Sequence, residues 1–169
     1  MGVAHDILAS WWRPKSVMRK HLFAAPHEGR AFAFLIIACF LIFVSQWPVL
    51  RRQAILDPSI TFENRVAGAL VAWLIWAPIA AYGIAAITRV LARVLGGGGT
   101  WYSARLALFW SLLAASPAWL LYGLVAGLIG PSPAQNIVGA GLWLVFLFVW
   151  GGSMYAAETQ INAQVRANQ

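Results

Sequence analysis

The side chains that could support catalysis or bind a metal are few and scattered. The chain has three histidines, His5, His21 and His27, and their spacing gives neither an HExxH motif nor an i, i+4 pair. Its one cysteine, Cys39, has no second cysteine for a disulfide or a metal cluster. No nucleophile elbow, phosphate-binding loop or dinucleotide-binding motif is present. We therefore predict no catalytic residue, no cofactor site and no metal site, and hence no enzyme.

The acidic residues avoid the centres of the apolar runs. The five are Asp6, Glu28, Asp57, Glu63 and Glu158. Charged groups inside lipid usually mark proton relays and ion paths. Their positions therefore argue against a coupled pump or ion transporter, although backbone carbonyls and small polar side chains can still line a passive path.

A cluster of positive charge precedes the first apolar run. Arg13, Lys15, Arg19 and Lys20 alternate there with apolar and aromatic residues, a pattern typical of an amphipathic helix in the headgroup region of a membrane. Pro14 suits the first turn of a helix, so we expect two short helices that meet near Arg13. These four basic side chains are our candidate contacts to lipid headgroups. The alternative is a flank that only sets the topology.

Two groups of glycines suggest close packing or flexibility. Gly123 and Gly127 form a GxxxG pair, which predicts close helix packing either within the chain or against a partner. A second group follows the second apolar run and lacks the Lys and Ser/Thr of a phosphate-binding loop. We predict that it is a flexible cytoplasmic hinge. It consists of Gly96, Gly97, Gly98 and Gly99.

Four apolar stretches are long enough to cross a membrane as helices. The chain is 61% hydrophobic and only 10% charged, whereas a soluble domain has about 25% charged residues. A helix needs about 20 residues to cross about 30 Å of hydrocarbon. We predict an all-α integral membrane protein, a four-span transmembrane helical bundle with an N-terminal amphipathic interfacial helix. The spans cover about 31–50, 66–87, 102–129 and 137–157, with bends expected at Pro78 and Pro117.

The basic residues predict the orientation of the chain. If the N-terminus is cytoplasmic, nine of the twelve Lys and Arg residues lie on that side, and both termini face the cytoplasm. The chain then divides into a basic cytoplasmic flank (1–30), a transmembrane domain (31–158) and a polar cytoplasmic tail (159–169). Because the charges lie at the ends of apolar runs, the net charge of +7 indicates anionic lipid rather than nucleic acid. The nine are Arg13, Lys15, Arg19, Lys20, Arg30, Arg89, Arg93, Arg105 and Arg166; the other three are Arg51, Arg52 and Arg65.

Three segments carry a resemblance to a known family. They are Trp12–Met18, the loop Gly96–Trp101 followed by Ala104–Arg105 and a helix with Pro117, and the end of the fourth span at Gly151–Glu158. Together they are similar to bacterial Yip-domain proteins, relatives of the Ypt/Rab-GTPase-interacting membrane proteins. The resemblance implies a multi-pass protein of the bacterial inner membrane, but the family usually has five spans and this chain offers apolar sequence for four. No residue matches a GTPase-binding motif.

The sequence leaves three functions open. The first is a non-enzymatic inner-membrane protein of Yip type that organises lipid or a membrane partner protein. The second is an accessory or assembly subunit of a larger membrane complex, for example a bioenergetic one, which would suit the ten tryptophans. The third is a small channel or transporter, which the absence of mid-span charges disfavours. The expected partner is the lipid bilayer with its anionic lipids, and another integral membrane protein or complex is the additional candidate; no nucleic acid is expected.

Overall fold

A computed structural model describes the backbone of residues 2–167 and the side chains of residues 2–159. Every regular element in this part of the chain is a helix. The side chains of the predicted polar tail beyond Thr159, including Arg166, lie outside the described residues. The helices are α1 (Val3–Ser10), α2 (Pro14–Phe23), α3 (Glu28–Ser45), α4 (Trp47–Leu56), α5 (Phe62–Val71), a π-helical turn (Ala72–Trp76), α6 (Ala77–Val94), α7 (Trp101–Ala114), α8 (Ser116–Leu128) and α9 (Pro133–Ala167).

Three helical stretches are long and apolar enough to cross a membrane. They are Glu28–Leu56, Phe62–Val94 and Pro133–Thr159, and the bent pair α7 and α8 makes a fourth if it counts as one span. These helical stretches extend beyond the predicted limits. A helix ends where a residue can no longer adopt the helical conformation, and this need not be where the apolar sequence ends. The first reaches Leu56 and stops at Asp57, whose α conformation is disfavoured by the following Pro58.

The prolines affect the second and third stretches differently. At Pro117 the third stretch breaks into α7 and α8, which are bent by 43° at the break. Pro78 lies in the first turn of α6, where a missing N–H is tolerated, and the helix runs on from the π-helical turn without a comparable break. The predicted bend is therefore present at Pro117, and at Pro78 the π-helical turn replaces it.

Gly123 and Gly127 bring α8 against the first stretch. A Cβ built on Gly123 would collide with the backbone carbonyl of Ser45, and one on Gly127 would collide with Pro48. Both glycines therefore pack within the chain, where α8 contacts the ends of α3 and α4. Backbones can approach this closely only where one helix has no side chain.

Replacing Gly123 with alanine should separate α8 from α3. Because the obstacle is a backbone carbonyl that no rotamer change can move, we expect a loss of about 1–3 kcal/mol in unfolding free energy, as for other overpacked sites. Thermal unfolding of the purified protein, followed by circular dichroism, measures this. Gly141→Ala in α9 is the control, because its Cβ meets nothing within 4 Å. Equal melting temperatures for the two variants would contradict the close approach.

The N-terminal segment forms a helical hairpin that packs against the bundle. The N-terminal hairpin, α1 and α2, turns at Trp11–Arg13, and α2 begins at Pro14 as the sequence predicts. It contacts α7 and α9 along its length. Met18 is fully buried, and Ser10 accepts a hydrogen bond from Trp110 Nε1 at 3.0 Å. The flank is thus part of the folded bundle rather than a helix lying apart from it.

A hydrogen bond joins the turn of the N-terminal hairpin to the break between α7 and α8. In a regular α-helix the N–H of Ala118 would donate to the carbonyl of Ala114. Here it donates to the carbonyl of Ala115 at 3.0 Å, so the carbonyl of Ala114 loses this donor. Trp11 Nε1 donates to that Ala114 carbonyl at 2.8 Å. A side chain at the tip of the hairpin therefore satisfies a backbone group that the break has released.

Trp11→Phe should loosen the N-terminal hairpin while keeping an aromatic ring in place. The loss of the donor leaves the Ala114 carbonyl unsatisfied, which costs about 1–3 kcal/mol when such a group is buried. We expect a lower melting temperature and faster cleavage by trypsin after Lys15 and Arg19. Trp12→Phe is the matched control, because Trp12 is 74% exposed and makes no such bond. Identical behaviour of the two variants would show that the bond does not anchor the hairpin.

Candidate lipid-binding groove

A groove of about 910 Å³ lies between α2 and α9. One wall carries three of the predicted headgroup contacts, Arg13, Lys15 and Arg19. The opposite wall is apolar and aromatic. We call this feature the α2–α9 groove; its other lining residues are Trp12, Pro14, Ser16, Leu147, Phe148, Gly151, Gly152 and Tyr155.

The close approach of α2 to α9 depends on a glycine. A Cβ built on Gly152 would lie 2.7 Å from Pro14 Cγ, nearer than Cβ atoms come to their neighbours in folded proteins. The neighbouring Gly151 faces open space, with no atom within 4 Å of its built Cβ. One glycine of the pair therefore admits α2, and the other keeps the floor of the groove open.

The basic wall follows from the amphipathic pattern of α2. Its buried side consists of Pro14, Val17, Met18 and His21. Because these buried residues recur every three or four positions, they lie on one face of the helix, and the basic residues lie on the opposite, exposed face. Lys15 Nζ lies 4.1 Å from the centre of the Tyr155 ring, a cation–π contact that ties the two walls together.

The positive charge of the groove is not neutralised within the chain. Among the described side chains, none of the carboxylates forms an ion pair with Arg13, Lys15 or Arg19. All three basic side chains are exposed. The groove therefore presents three positive charges to an anionic ligand.

Lys20, the fourth predicted headgroup contact, lies outside the groove. Its Nζ donates to Asp6 Oδ2 at 2.6 Å, which joins α2 to α1. Burial would raise the pKa of the Asp6 carboxyl, but the hydrogen bond and positive charge of Lys20 outweigh it and lower the pKa below its ordinary value. Lys20 thus makes a contact within the N-terminal hairpin, and its side chain remains 52% exposed.

His21 adds no charge near neutral pH. Its ring packs 4.2 Å from that of Trp110 and 5.5 Å from that of Phe34, measured between ring centres. Burial lowers the pKa of His21 to about 4, against the opposing attraction of Asp6. The charge of the α2–α9 groove near neutrality therefore comes from its arginines and lysine alone.

The glycine-rich loop is held against α9 by Glu158. Gly99 N–H donates to Glu158 Oε2 at 2.6 Å, and Arg89 Nη1 lies 3.4 Å from the same oxygen. A Cβ on Gly97 or Gly99 would collide with the Glu158 carboxylate. Of the four residues predicted to form a hinge, two are therefore needed to hold this carboxylate. Gly96 has a positive φ of 82°, which glycine adopts without strain.

The groove has the features needed to bind an amphipathic anion. Arginine and lysine bind phosphate oxygens through charge-assisted hydrogen bonds. The exposed side chains of Trp12, Leu147 and Phe148 offer apolar surface for a hydrocarbon chain. The α9 wall could not be assigned from sequence, because its residues lie more than a hundred positions after α2 and look like any lipid-facing surface. The only available signal was the small-residue pair Gly151 and Gly152.

Comparison of the chain with protein-family models, with curated proteins and with solved structures finds no match.

Proposed function

We propose that this chain is a non-enzymatic, multi-span membrane protein that organises anionic phospholipid by binding it in the α2–α9 groove. The observation that carries the proposal is the pairing of three unneutralised basic side chains with an apolar wall in one groove. A soluble anion would need only the first feature. A phospholipid needs both, because its phosphate and its acyl chain are covalently joined.

The apolar helices support a membrane location for this activity. We propose four crossings, with α7 and α8 forming one bent span. Together these two helices contain 27 residues, which is about 40 Å of helix before bending. An even number of crossings places both termini on one side, and the basic residues favour the cytoplasm. The resemblance to Yip-domain proteins supports a multi-pass inner-membrane location, although that family usually has five spans.

Lipid binding should depend on the groove charges. Each basic residue close to an anionic lipid contributes about 1 kcal/mol, so Lys15→Gln should weaken binding about fivefold and the triple change of Arg13, Lys15 and Arg19 to Gln about a hundredfold. The measurement is a titration of the full chain in mild detergent with fluorescent phosphatidylglycerol. Phosphatidylcholine with the same label and chains should bind weakly.

Two variants separate a built groove from general charge attraction. Arg93→Gln removes an exposed charge at the end of α6, outside the groove, and should leave the affinity unchanged. A Cβ on Gly151 meets nothing within 4 Å, so Gly151→Leu should place its side chain in the groove and abolish binding with every charge intact. If Arg93→Gln weakens binding as much as Lys15→Gln does, or if Gly151→Leu binds normally, the groove is not the binding site.

The proposed topology can be tested by labelling engineered cysteines in intact cells. Ser59→Cys lies in the exposed loop between α4 and α5 and should react with a membrane-impermeant maleimide added outside. A cysteine appended after Gln169 should react only after lysis. Buried Cys39 should stay unlabelled in both cases and serves as the background. Reaction of the C-terminal cysteine in intact cells would overturn the even number of crossings.

A further inference from the structure

The positive charge of the α2–α9 groove is spread along α2 rather than gathered at one point. Arg13 immediately precedes the helix, Lys15 lies in its first turn, and Arg19 follows Lys15 by four residues. Four residues of helix rise by about 6 Å, so Lys15 and Arg19 are separated by one full turn. The three charges therefore form a row that is longer than one phosphate group.

A single phosphate compensates only part of this row. The phosphate of a typical phospholipid carries one negative charge, so drawing all three cations around it would leave excess positive charge crowded together, and like charges repel. Lys15 Nζ is also held on the α9 side of the groove, 4.1 Å from the centre of the Tyr155 ring. The row therefore suits a ligand whose negative charge is itself divided between two points.

The start of α2 adds hydrogen-bond donors to one end of the row. The backbone N–H groups of Lys15 and Ser16 lie in the first turn and find no acceptor among the described residues. Free N–H groups and the positive end of the helix dipole favour a phosphate at such a position, here in addition to the two nearby cations. A phosphate bound there leaves the charge of Arg19, at the other end of the row, without a counter-charge.

The apolar surface beside the row continues into the membrane-spanning part of α9. Leu147 and Phe148 line the groove and are about half exposed, and Leu144, one turn nearer the centre of the stretch Pro133–Thr159, is exposed as well. Trp12, in the turn before α2, offers a further exposed ring. Acyl chains that leave the groove can therefore lie along α9 in the hydrocarbon region.

We propose that the α2–α9 groove selects a phospholipid with two phosphates joined by a short linker, as in diphosphatidylglycerol (cardiolipin). This inference rests on the proposed binding of anionic phospholipid in the groove. One phosphate lies at the start of α2 with Arg13 and Lys15, and the second lies beside Arg19. In a pyrophosphate the two phosphates share an oxygen and are too close together for this spacing. Basic pockets between helices near the membrane surface bind headgroups with several phosphates or charges.

The test measures how well different lipids displace fluorescent phosphatidylglycerol from the full chain in mild detergent. Because its second phosphate gains charge-assisted hydrogen bonds from Arg19, cardiolipin should bind at least about tenfold more tightly than phosphatidylglycerol with the same acyl chains. Phosphatidic acid, whose one phosphate can carry two charges, should bind clearly less tightly than cardiolipin. A smaller advantage, or equally tight binding of phosphatidic acid, would overturn the proposal. So would displacement by inorganic pyrophosphate at the same concentration, since a soluble anion would then suffice.

A charge-conserving variant tests the spacing. Ser16 is exposed and lines the groove, so the double change Ser16→Arg and Arg19→Gln keeps three positive charges but gathers them at the start of α2. Cardiolipin should then lose its advantage, whereas phosphatidylglycerol should bind as before, which shows that the variant is folded. Arg19→Lys keeps a charge in place and should keep the preference. A preference for cardiolipin that survives the double change would overturn the placement of the second phosphate at Arg19.

The same titrations separate this inference from the proposed function. If the unaltered chain binds phosphatidylglycerol through the groove but cardiolipin no more tightly, only the preference for two phosphates is wrong. If it binds neither lipid, the proposed function is wrong and this inference falls with it.

Discussion

Pro117 has no backbone N–H, and a helix that contains it must rearrange its hydrogen bonds one turn earlier. Here Ala118 donates to the carbonyl of Ala115, and the released carbonyl of Ala114 accepts from the indole of Trp11 at 2.8 Å. Because Trp11 lies in the turn between α1 and α2, satisfying this one carbonyl also fixes the tip of the N-terminal hairpin. The position of α2, and with it the basic wall of the α2–α9 groove, follows from a backbone group in a distant helix.

The charges around the N-terminal hairpin fall into two sets with different environments. Lys20 pairs with Asp6, a side chain only 9% exposed, and this pair joins the two helices of the hairpin. Arg13, Lys15 and Arg19 point away from that joint and keep their charge available. Four basic residues that look equivalent in the sequence thus divide into one that holds the hairpin together and three that can contact a ligand.

The helical class of the fold could be predicted from hydrophobicity, and so could the break at Pro117 and the start of α2 at Pro14, because each depends on local chemistry. The α2–α9 groove could not, since it depends on which face of α2 meets α9. That choice is made by Gly152, which contacts Pro14, and by Trp11, which contacts Ala114. The glycine-rich loop shows the same limit. Its composition predicts a hinge, but it does not indicate that Gly97 and Gly99 make room for the carboxylate of Glu158, which is distant in sequence.

The two sets of charges should also respond differently to salt. Exposed charges are screened over a Debye length of about 8 Å at physiological ionic strength, whereas partly buried pairs are screened much less. Lipid bound by Arg13, Lys15 and Arg19, as we propose, should therefore be sensitive to added salt. The pair of Lys20 with Asp6 is sheltered by the burial of its carboxylate, and the bond from Trp11 to Ala114 involves no ionised group. Under the proposed function, the N-terminal hairpin would release and rebind an anionic lipid while it stays docked, as a site that exchanges ligand with the surrounding membrane requires.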